Sequence, residues 1–260
     1  MPDEHPRSQK RSLMNESQIS ANLQGKIAVI TGAGRGIGRA IAQAYAAAGA
    51  AIVCSARSQK EIDGTVNLIA EKGGRAIAVA ADVSEYQAIE AVFTKACVEF
   101  GGVDIVVINA GASGGRSTIE TSDPVVWRKT IDVNLTGAFH TAHAAIPHLR
   151  RRGAGKMILV GSGLRGRPNQ GVSAYACSKA GMWMLTQALA LELSDAKISV
   201  NELIPGPVRT AITGFGENFI TTGSEWLKDP EDVVPLALFL AAQPDVGPSS
   251  QSFSLMRRVG

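Results

Sequence analysis

The chain of 260 residues has 26 basic and 23 acidic side chains, a net charge of +3, 45% hydrophobic residues and 5% aromatic ones. That aliphatic content excludes disorder of the whole chain, and so small a net charge gives no concentrated basic stripe of the kind nucleic-acid phosphates require. Cys54, Cys97 and Cys177 are odd in number and form no Cys-x-x-Cys pair, so neither a disulfide framework nor a zinc site is expected. They read as small buried hydrophobes in a reducing compartment. With no apolar run long enough for a membrane span and no apolar leader, the expected location is cytoplasmic. Residues 1–25 are polar and aperiodic and read as a flexible tail, with Met14 an alternative start to Met1. Residues 26–260 show no linker or repeat and read as one domain.

From Lys26 on, short Val-, Ile- and Ala-rich runs alternate with longer amphipathic stretches, as in successive βαβ units. In chain order the pattern predicts a strand at 27–31, a helix at 37–48, a strand at 51–55, a helix at 59–71, a strand at 76–81 and a helix at 87–100. A strand at 105–109, one long helix at 124–150, a strand at 157–161, a helix at 174–194, a strand at 198–203, a helix at 231–242 and a weak strand at 252–256 complete it. The strand runs are continuously apolar, which suits a parallel sheet buried on both faces. Ser58, Ser84, Asp123 before Pro124, and Asp229 before Pro230 stand where helix starts are capped, and Gly49 and Gly73 where helices stop. The expected fold is a single doubly wound α/β domain with a seven-stranded, mainly parallel sheet and helices on both faces. Ligands of such folds lie beyond the carboxyl ends of the strands, so functional residues are sought there.

After the first strand, Thr31-Gly32-Ala33-Gly34-Arg35-Gly36-Ile37-Gly38 opens a helix. Glycines at such a turn let the backbone approach a pyrophosphate, which the helix N-terminus stabilises. The spacing is T-G-x-x-x-G-x-G, and the Gly-Lys-Ser/Thr ending of a nucleoside-triphosphate loop is absent. After the second strand, Cys54-Ser55-Ala56-Arg57-Ser58 has no carboxylate to bond the ribose hydroxyls of NAD. Arg57, joined by Arg35, suits the 2′-phosphate of NADP instead. The alternative for these arginines is solvated side chains at helix starts. NADP(H) is thus the preferred cofactor, with NAD(H) the alternative.

Tyr175 and Lys179 are four residues apart and share a helix face. An ammonium beside a phenol favours the phenolate, which would bring the phenol toward a working pH. Ser162 stands at the end of the fifth strand, thirteen residues before Tyr175, on the same expected ligand side. Asp82-Val83, Asn109-Ala110-Gly111, Asn134 and Pro205-Gly206 fall after strands or in the long helix, in order with these.

With these residues in this order, the chain from Lys26 to its end resembles the short-chain dehydrogenase/reductase family, and its 3-oxoacyl carrier-protein reductase-like members among them. The resemblance implies a Rossmann-type fold and an oxidoreductase. It also implies Tyr175 as general acid/base, Lys179 holding the nicotinamide ribose and tuning the phenol, Ser162 bonding the substrate carbonyl, and Asn134 supporting a proton-relay water. Gly32, Gly36, Ile37 and Gly38 with Arg35 and Arg57 would take the phosphates, Asp82 and Val83 the adenine, and Asn109, Ala110 and Gly111 the adenosine ribose side. Pro205, Gly206, Val208 and Thr210 would approach the carboxamide end. Two departures stand out: Ile108 where the family has a second asparagine, and Ser249-Ser250 where it has Thr-Gly.

The resemblance implies hydride chemistry between a ketone, a 3-oxoacyl thioester on carrier protein or coenzyme A being one candidate, and a secondary alcohol. An alcohol, sugar or steroid dehydrogenase working oxidatively is the second reading. A non-catalytic nucleotide sensor is the third, although Tyr175 and Lys179, commonly absent from sensors, are both present. A homotetramer is implied, paired through 124–150 and 174–194, with Ala174, Ala180, Gly181, Leu185, Ala188 and Leu189 as one contact face. Residues 210–227, with Phe215, Phe219 and Trp226, are expected to cover the substrate. His140, His143 and His148 read as surface or interface side chains rather than metal ligands. Arg150, Arg151 and Arg152 offset a helix dipole or, in the alternative, dock an acidic carrier.

Overall fold

The computed structural model describes residues 22–213 and 225–256. Its strands are β1 (Ile27–Thr31), β2 (Ala51–Ala56), β3 (Arg75–Ala80), β4 (Ile105–Ile108), β5 (Gly155–Val160), β6 (Ile198–Ile204) and β7 (Ser252–Ser254). They form one sheet in the order β3-β2-β1-β4-β5-β6-β7. All six pairings are parallel, so the expected mainly parallel sheet is parallel throughout the described residues. The order reverses between β1 and β4, and the crevice of a doubly wound sheet opens there.

Helices α1 (Gly36–Ala47), α2 (Gln59–Ala70), α3 (Tyr86–Phe100), α4 (Pro124–Ile131), α5 (Gly137–Arg152), α6 (Ser173–Glu192) and α7 (Val234–Ala241) cover both faces. One core packs α3 and α5 on the sheet through Phe93, Val106, Leu149 and Met157. The other packs α1, α2 and α7 on the opposite face through Ile30, Ile41, Ile52 and Ile62. Continuous apolar runs serve this arrangement because every central strand is buried on both sides.

The caps follow the sequence in three cases. Ser58 accepts from the Glu61 amide at 3.3 Å, Asp123 from the Val125 amide at 2.8 Å, and Asp229 forms a reciprocal box with Asp232 over a 3₁₀ turn that precedes α7. Ser84 does not cap α3. Its hydroxyl and amide bond the Asp82 carboxylate instead, and Glu85 occupies the cap position without a side-chain bond. Gly49 and Gly73 take φ of +99° and +76°, the left-handed conformation that ends helices.

The long helix expected at 124–150 is broken. Between α4 and α5 the residues Asp132–Thr136 form a five-residue π turn, held by tertiary bonds of Asn134. The tail boundary also moves: Leu23 is buried in the α1 face of the core, and its amide bonds the Ala48 carbonyl at 2.9 Å. Residues 1–21 of the expected tail lie outside the described residues. Of the cysteines only Cys54 is buried; Cys97 is half-buried and Cys177 exposed. Ser250, where the resembling family has glycine, is held at φ +63°, a region costly for a residue with a Cβ. No helix among the described residues is long and apolar enough to cross a membrane.

Candidate active site

The turn after β1 shapes a cleft at the β1/β4 crevice, lined by Gly32, Gly34, Arg35, Gly36 and Ile37. Gly32 and Gly36 adopt φ of +67° and +54°, and a Cβ on Gly32 would come within 2.8 Å of Asn109 Nδ2. The cradle therefore needs glycines. Arg35 at the N-cap of α1 is extended and supplies no side-chain cap, and the first turn has no acidic residue. The first amides of α1 and the positive end of its dipole are thereby left for an anion.

Gly38 does not line the cleft, contrary to its expected phosphate contact. It lies beneath the loop, where an added Cβ would collide with the Gly32 carbonyl and come within 2.6 Å of Asn109 Nδ2. Asn109 pins the same loop from β4: its Nδ2 donates to the carbonyls of Thr31 at 3.0 Å and Gly32 at 3.2 Å. Thr31 Oγ1 in turn accepts from the amides of Asn109 at 3.1 Å and Ala110 at 3.2 Å. Ile108, the departure from the family pattern, is buried in the core.

The far end of the cleft holds Ala56, Arg57, Asp82, Val83, Asn109, Ala110 and Gly111, with Thr210 closing over Gly36 from the segment after β6. Arg57 is exposed. Burial raises the Asp82 carboxyl, but the Ser84 amide and hydroxyl and the charges of Arg57 and Lys129 outweigh it, leaving the group below its usual range. Sequence reasoning missed Glu61. The carboxylate comes from the first turn of α2, lines the cleft, and pairs with Arg35 at 3.4 Å. The only sequence signal for it is its place three residues after the cap Ser58. Val133 and Ile212 in the lining carried none.

Ser162 lies two residues beyond β5 and caps a short 3₁₀ turn (Gly163–Arg165), its Oγ accepting from the Leu164 amide at 3.2 Å. Tyr175 is half-buried in the first turn of α6. Burial pushes its phenol above the ordinary value, and the Ser162 hydroxyl pulls in the opposite direction. The expected lowering by Lys179 is therefore overturned: desolvation dominates, and the phenol is held protonated. The Lys179 ammonium is 5.7 Å from the Tyr175 ring centre and donates to the Val160 carbonyl at 2.7 Å. Burial brings Lys179 down to about 8, with Glu202 opposing the fall, so it is mainly charged at neutral pH.

Asn134 is fully buried in the π turn. Its Oδ1 accepts from the Ala112 amide at 2.7 Å, and its Nδ2 donates to the Ala112 carbonyl and to Ser178 Oγ, both at 2.9 Å. Ser178 passes the contact on to the Tyr175 carbonyl at 2.7 Å. Asn134 thus ties the loop after β4 to the helix that carries Tyr175 and Lys179. Pro205, Gly206 and Val208 stand behind the cleft rather than in it: Pro205 and Val208 are buried, and Gly206 turns the chain at φ +71°. The expected cover is described only in part, because 214–224, with Phe215 and Phe219, lie outside the described residues.

The remaining polar signals have partners inside the chain. His140 Nδ1 lies 3.0 Å from the Val83 carbonyl, His143 Nδ1 3.0 Å from the Tyr86 hydroxyl, and His148 Nδ1 2.9 Å from Cys97 Sγ. Arg152 donates to the buried Asp104 carboxylate at 2.9 and 3.1 Å, and Arg150 lies 3.6 Å from Asp195.

Comparison with known proteins agrees with this geometry. Residues 26–218 match the short chain dehydrogenase family model. The 3beta-hydroxysteroid dehydrogenase 1 of Eggerthella lenta is 40% identical over 235 residues, covering 85% of this chain and 88% of that protein. The 3-oxoacyl-(acyl-carrier-protein) reductase of Vibrio cholerae is 32% identical over 227 residues, covering 85% and 91%. A gluconate 5-dehydrogenase structure from Beutenbergia cavernae, described as NAD(P)-dependent and holding NADP at low occupancy, superposes with a TM-score of 0.81 at 33% identity, covering 90% of this chain and 96% of that one. The chain belongs to the short-chain dehydrogenase family of oxidoreductases.

Proposed function

We propose that the protein is an NADP(H)-dependent oxidoreductase that interconverts a ketone and a secondary alcohol. The observation that carries this reading is the Ser162 hydroxyl beside the Tyr175 phenol, with the buried Lys179 ammonium 5.7 Å from the phenol ring centre. The cleft fits a dinucleotide: the glycine cradle excludes side chains, the start of α1 is uncapped, and Arg35 and Arg57 stand at its rim. Gly32, Arg35, Gly36, Ile37, Arg57, Asp82, Val83, Asn109, Ala110, Gly111 and Thr210 would hold it from the cleft. Bound there, a nicotinamide dinucleotide supplies or accepts the hydride.

The chain's own residues do the rest. In the reducing direction negative charge grows on the carbonyl oxygen, and Tyr175 delivers its phenolic proton to that oxygen. Ser162 donates a hydrogen bond to the same atom. Lys179 spends one donor on Val160; its ammonium would hold the nicotinamide ribose of a bound dinucleotide and stabilise the phenolate left after proton transfer. The Asn134 side chain is committed to Ala112 and Ser178, so its support of a relay water would run through its main-chain carbonyl. Loss of the phenolic proton from a group that burial holds protonated is the step Lys179 makes feasible.

The test is NADPH oxidation against a panel of acetoacetyl thioesters, simple ketones and cyclic ketones, with absence of turnover on every member counting against the reading. The oxidative reading draws support from the 3beta-hydroxysteroid dehydrogenase named above, and the same panel run backward with hydroxysteroids and NADP distinguishes it.

Cofactor choice rests on Arg57, since Arg35 is already paired with Glu61. Arg57→Ala is expected to raise KM for NADPH by one to two decades, the loss of about 1.5–3 kcal/mol from a guanidinium–phosphate contact. KM for NADH should hardly move. Equal kcat/KM for NADPH and NADH in the parent enzyme would contradict the preference.

A homotetramer is the proposed assembly. The face anticipated on α6 is partly used within the chain: Ala174 and Leu189 are buried, and a Cβ on Gly181 would come within 2.7 Å of Leu135. Exposed Phe139 on α5 and Met184 and Leu191 on α6 remain as apolar anchors. Light scattering at micromolar concentration should give four times the chain mass of 27.2 kDa; a monomer would sink the assembly.

A further inference from the structure

Strand β6 places a carboxylate where an apolar side chain would serve the core: Glu202 is fully buried. It stands opposite Leu159 of β5 on one side and Ser252 of β7 on the other. Its oxygens accept from Arg165 Nε at 3.0 and 3.1 Å and from Ser252 Oγ at 2.5 Å. Arg165 closes the 3₁₀ turn that Ser162 opens, and its Nη2 reaches Ser252 Oγ at 3.2 Å. The guanidinium also lies 4.8 Å from the ring centre of Trp183, one helical turn beyond Lys179 on α6. Gly161 completes the cluster, because a Cβ there would strike the Glu202 carboxylate.

An isolated buried carboxylate is expensive, and pairing with a guanidinium barely compensates it when an apolar pair would pack as well. What this pair does here is local to the reacting groups. The carboxylate lies over Gly161, between Val160, whose carbonyl binds the Lys179 ammonium, and Ser162. We propose that Glu202 is a positioning residue, which holds the Ser162 turn through Arg165 and serves as the buried counterion of Lys179. The proposal rests on the oxidoreductase reading above.

The groups around Lys179 come from its own helix and the elements packed on it. Its own helix presents the Tyr175 phenol, β6 presents Glu202, and the 3₁₀ turn presents Arg165 behind it. The π turn contributes uncharged Asn134; Asp132 there pairs with Arg128 of α4 at 3.9 Å, and Lys129 is exposed. Removing the Glu202 charge takes away the group that opposes the effect of burial on Lys179, which favours the neutral amine.

The experiment compares Glu202→Gln with the parent by NADPH fluorescence titration across pH and by the pH profile of kcat/KM for ketone reduction. The parent should lose NADPH affinity as pH rises past about 8, where Lys179 gives up its proton. In Glu202→Gln that alkaline limb should move down by about one pH unit, and kcat should fall roughly tenfold through the loosened Ser162 turn. A folded variant with an unmoved limb and kcat within twofold of the parent overturns the proposal. If Glu202→Gln does not fold, the Arg165→Gln/Glu202→Gln double variant, which leaves no unpaired buried charge, takes its place with the same expected limb. Failure of both to fold would make the pair a folding element and also overturn the positioning role. The parent and Tyr175→Phe run alongside separate the two levels: no ketone turnover by the parent defeats the oxidoreductase reading, full turnover in Tyr175→Phe defeats the site assignment on which this proposal rests, and an active parent with an inactive Tyr175→Phe and an unmoved Glu202→Gln limb defeats this proposal alone.

Discussion

Tyr175→Phe is expected to lower kcat for ketone reduction by about 10²–10⁴-fold, the range that one positioned proton donor contributes. The substitution removes a single oxygen at the start of α6, so thermal stability should stay close to that of the parent and NADPH affinity within a few fold. The prediction follows from two observations that act together. Burial holds the phenol in its acid form, and the Ser162 hydroxyl directs a second donor to the same place. A helix residue whose hydroxyl served only packing would give a phenylalanine variant with near-normal turnover. Retention of more than a tenth of the parent kcat on the best substrate, in a folded protein, would remove both the mechanism and the site.

The second large effect concerns the floor of the cleft. Gly38→Ala should destabilise the protein by about 1–3 kcal/mol or more, as overpacking does where no side chain can give way. The atoms in the path are the Gly32 main chain and the Asn109 amide, both fixed by the bonds that join β1 to β4. At about 2–4 °C per kcal/mol for a chain of this size, Tm should fall by roughly 2–12 °C. NADPH affinity should fall at least about tenfold, since the loop can admit the methyl only by lifting the cradle. Gly73→Ala is the control: its φ of +76° favours glycine, as the helical backbone at Gly38 does not, but nothing lies within 4 Å of the added carbon. Loss of Tm without loss of affinity in Gly73→Ala, against loss of both in Gly38→Ala, separates backbone strain from the collision.

Much of this architecture was legible in the chain because the features concerned are local. The five residues of β1 announce themselves as an unbroken apolar run, and Ser58 and Asp123 cap helices with their own side chains. The candidate site was legible for a related reason: in a parallel sheet its residues follow strand ends, so Ser162 and Asn109 occupy positions that the strand pattern already marks. Four features were not readable. The π turn depends on Asn134 meeting Ala112 and Ser178, 22 and 44 residues away. Glu61 lies in the first turn of a polar helix, and only the packing of α2 beside Gly34 brings its carboxylate to the cleft. Glu202 is a single charge in an apolar strand, with its counterion 37 residues earlier. The direction of the Tyr175 shift was misjudged because the Tyr175–Lys179 spacing shows a cation and conceals the desolvation, which only the folded surroundings create.

The strand order has a consequence for how the chain is made. β1 pairs with β2 on one edge, but its other edge waits for β4, with Ala28 opposite Ile105 and the Ile27 amide bonded to Asp104 at 2.8 Å. A nascent chain that has exposed β1, β2 and β3 up to Ala80 owns half a sheet whose innermost strand is bare. Another 24 residues separate Ala80 from Ile105, an interval of roughly 1–5 s at ribosomal speeds of ~5–20 residues per second. During that interval the future centre of the molecule is its stickiest rim, an apolar strand with a full ladder of open hydrogen bonds. The safety of biosynthesis therefore depends on how fast α3 is translated, a segment that supplies none of the chemistry.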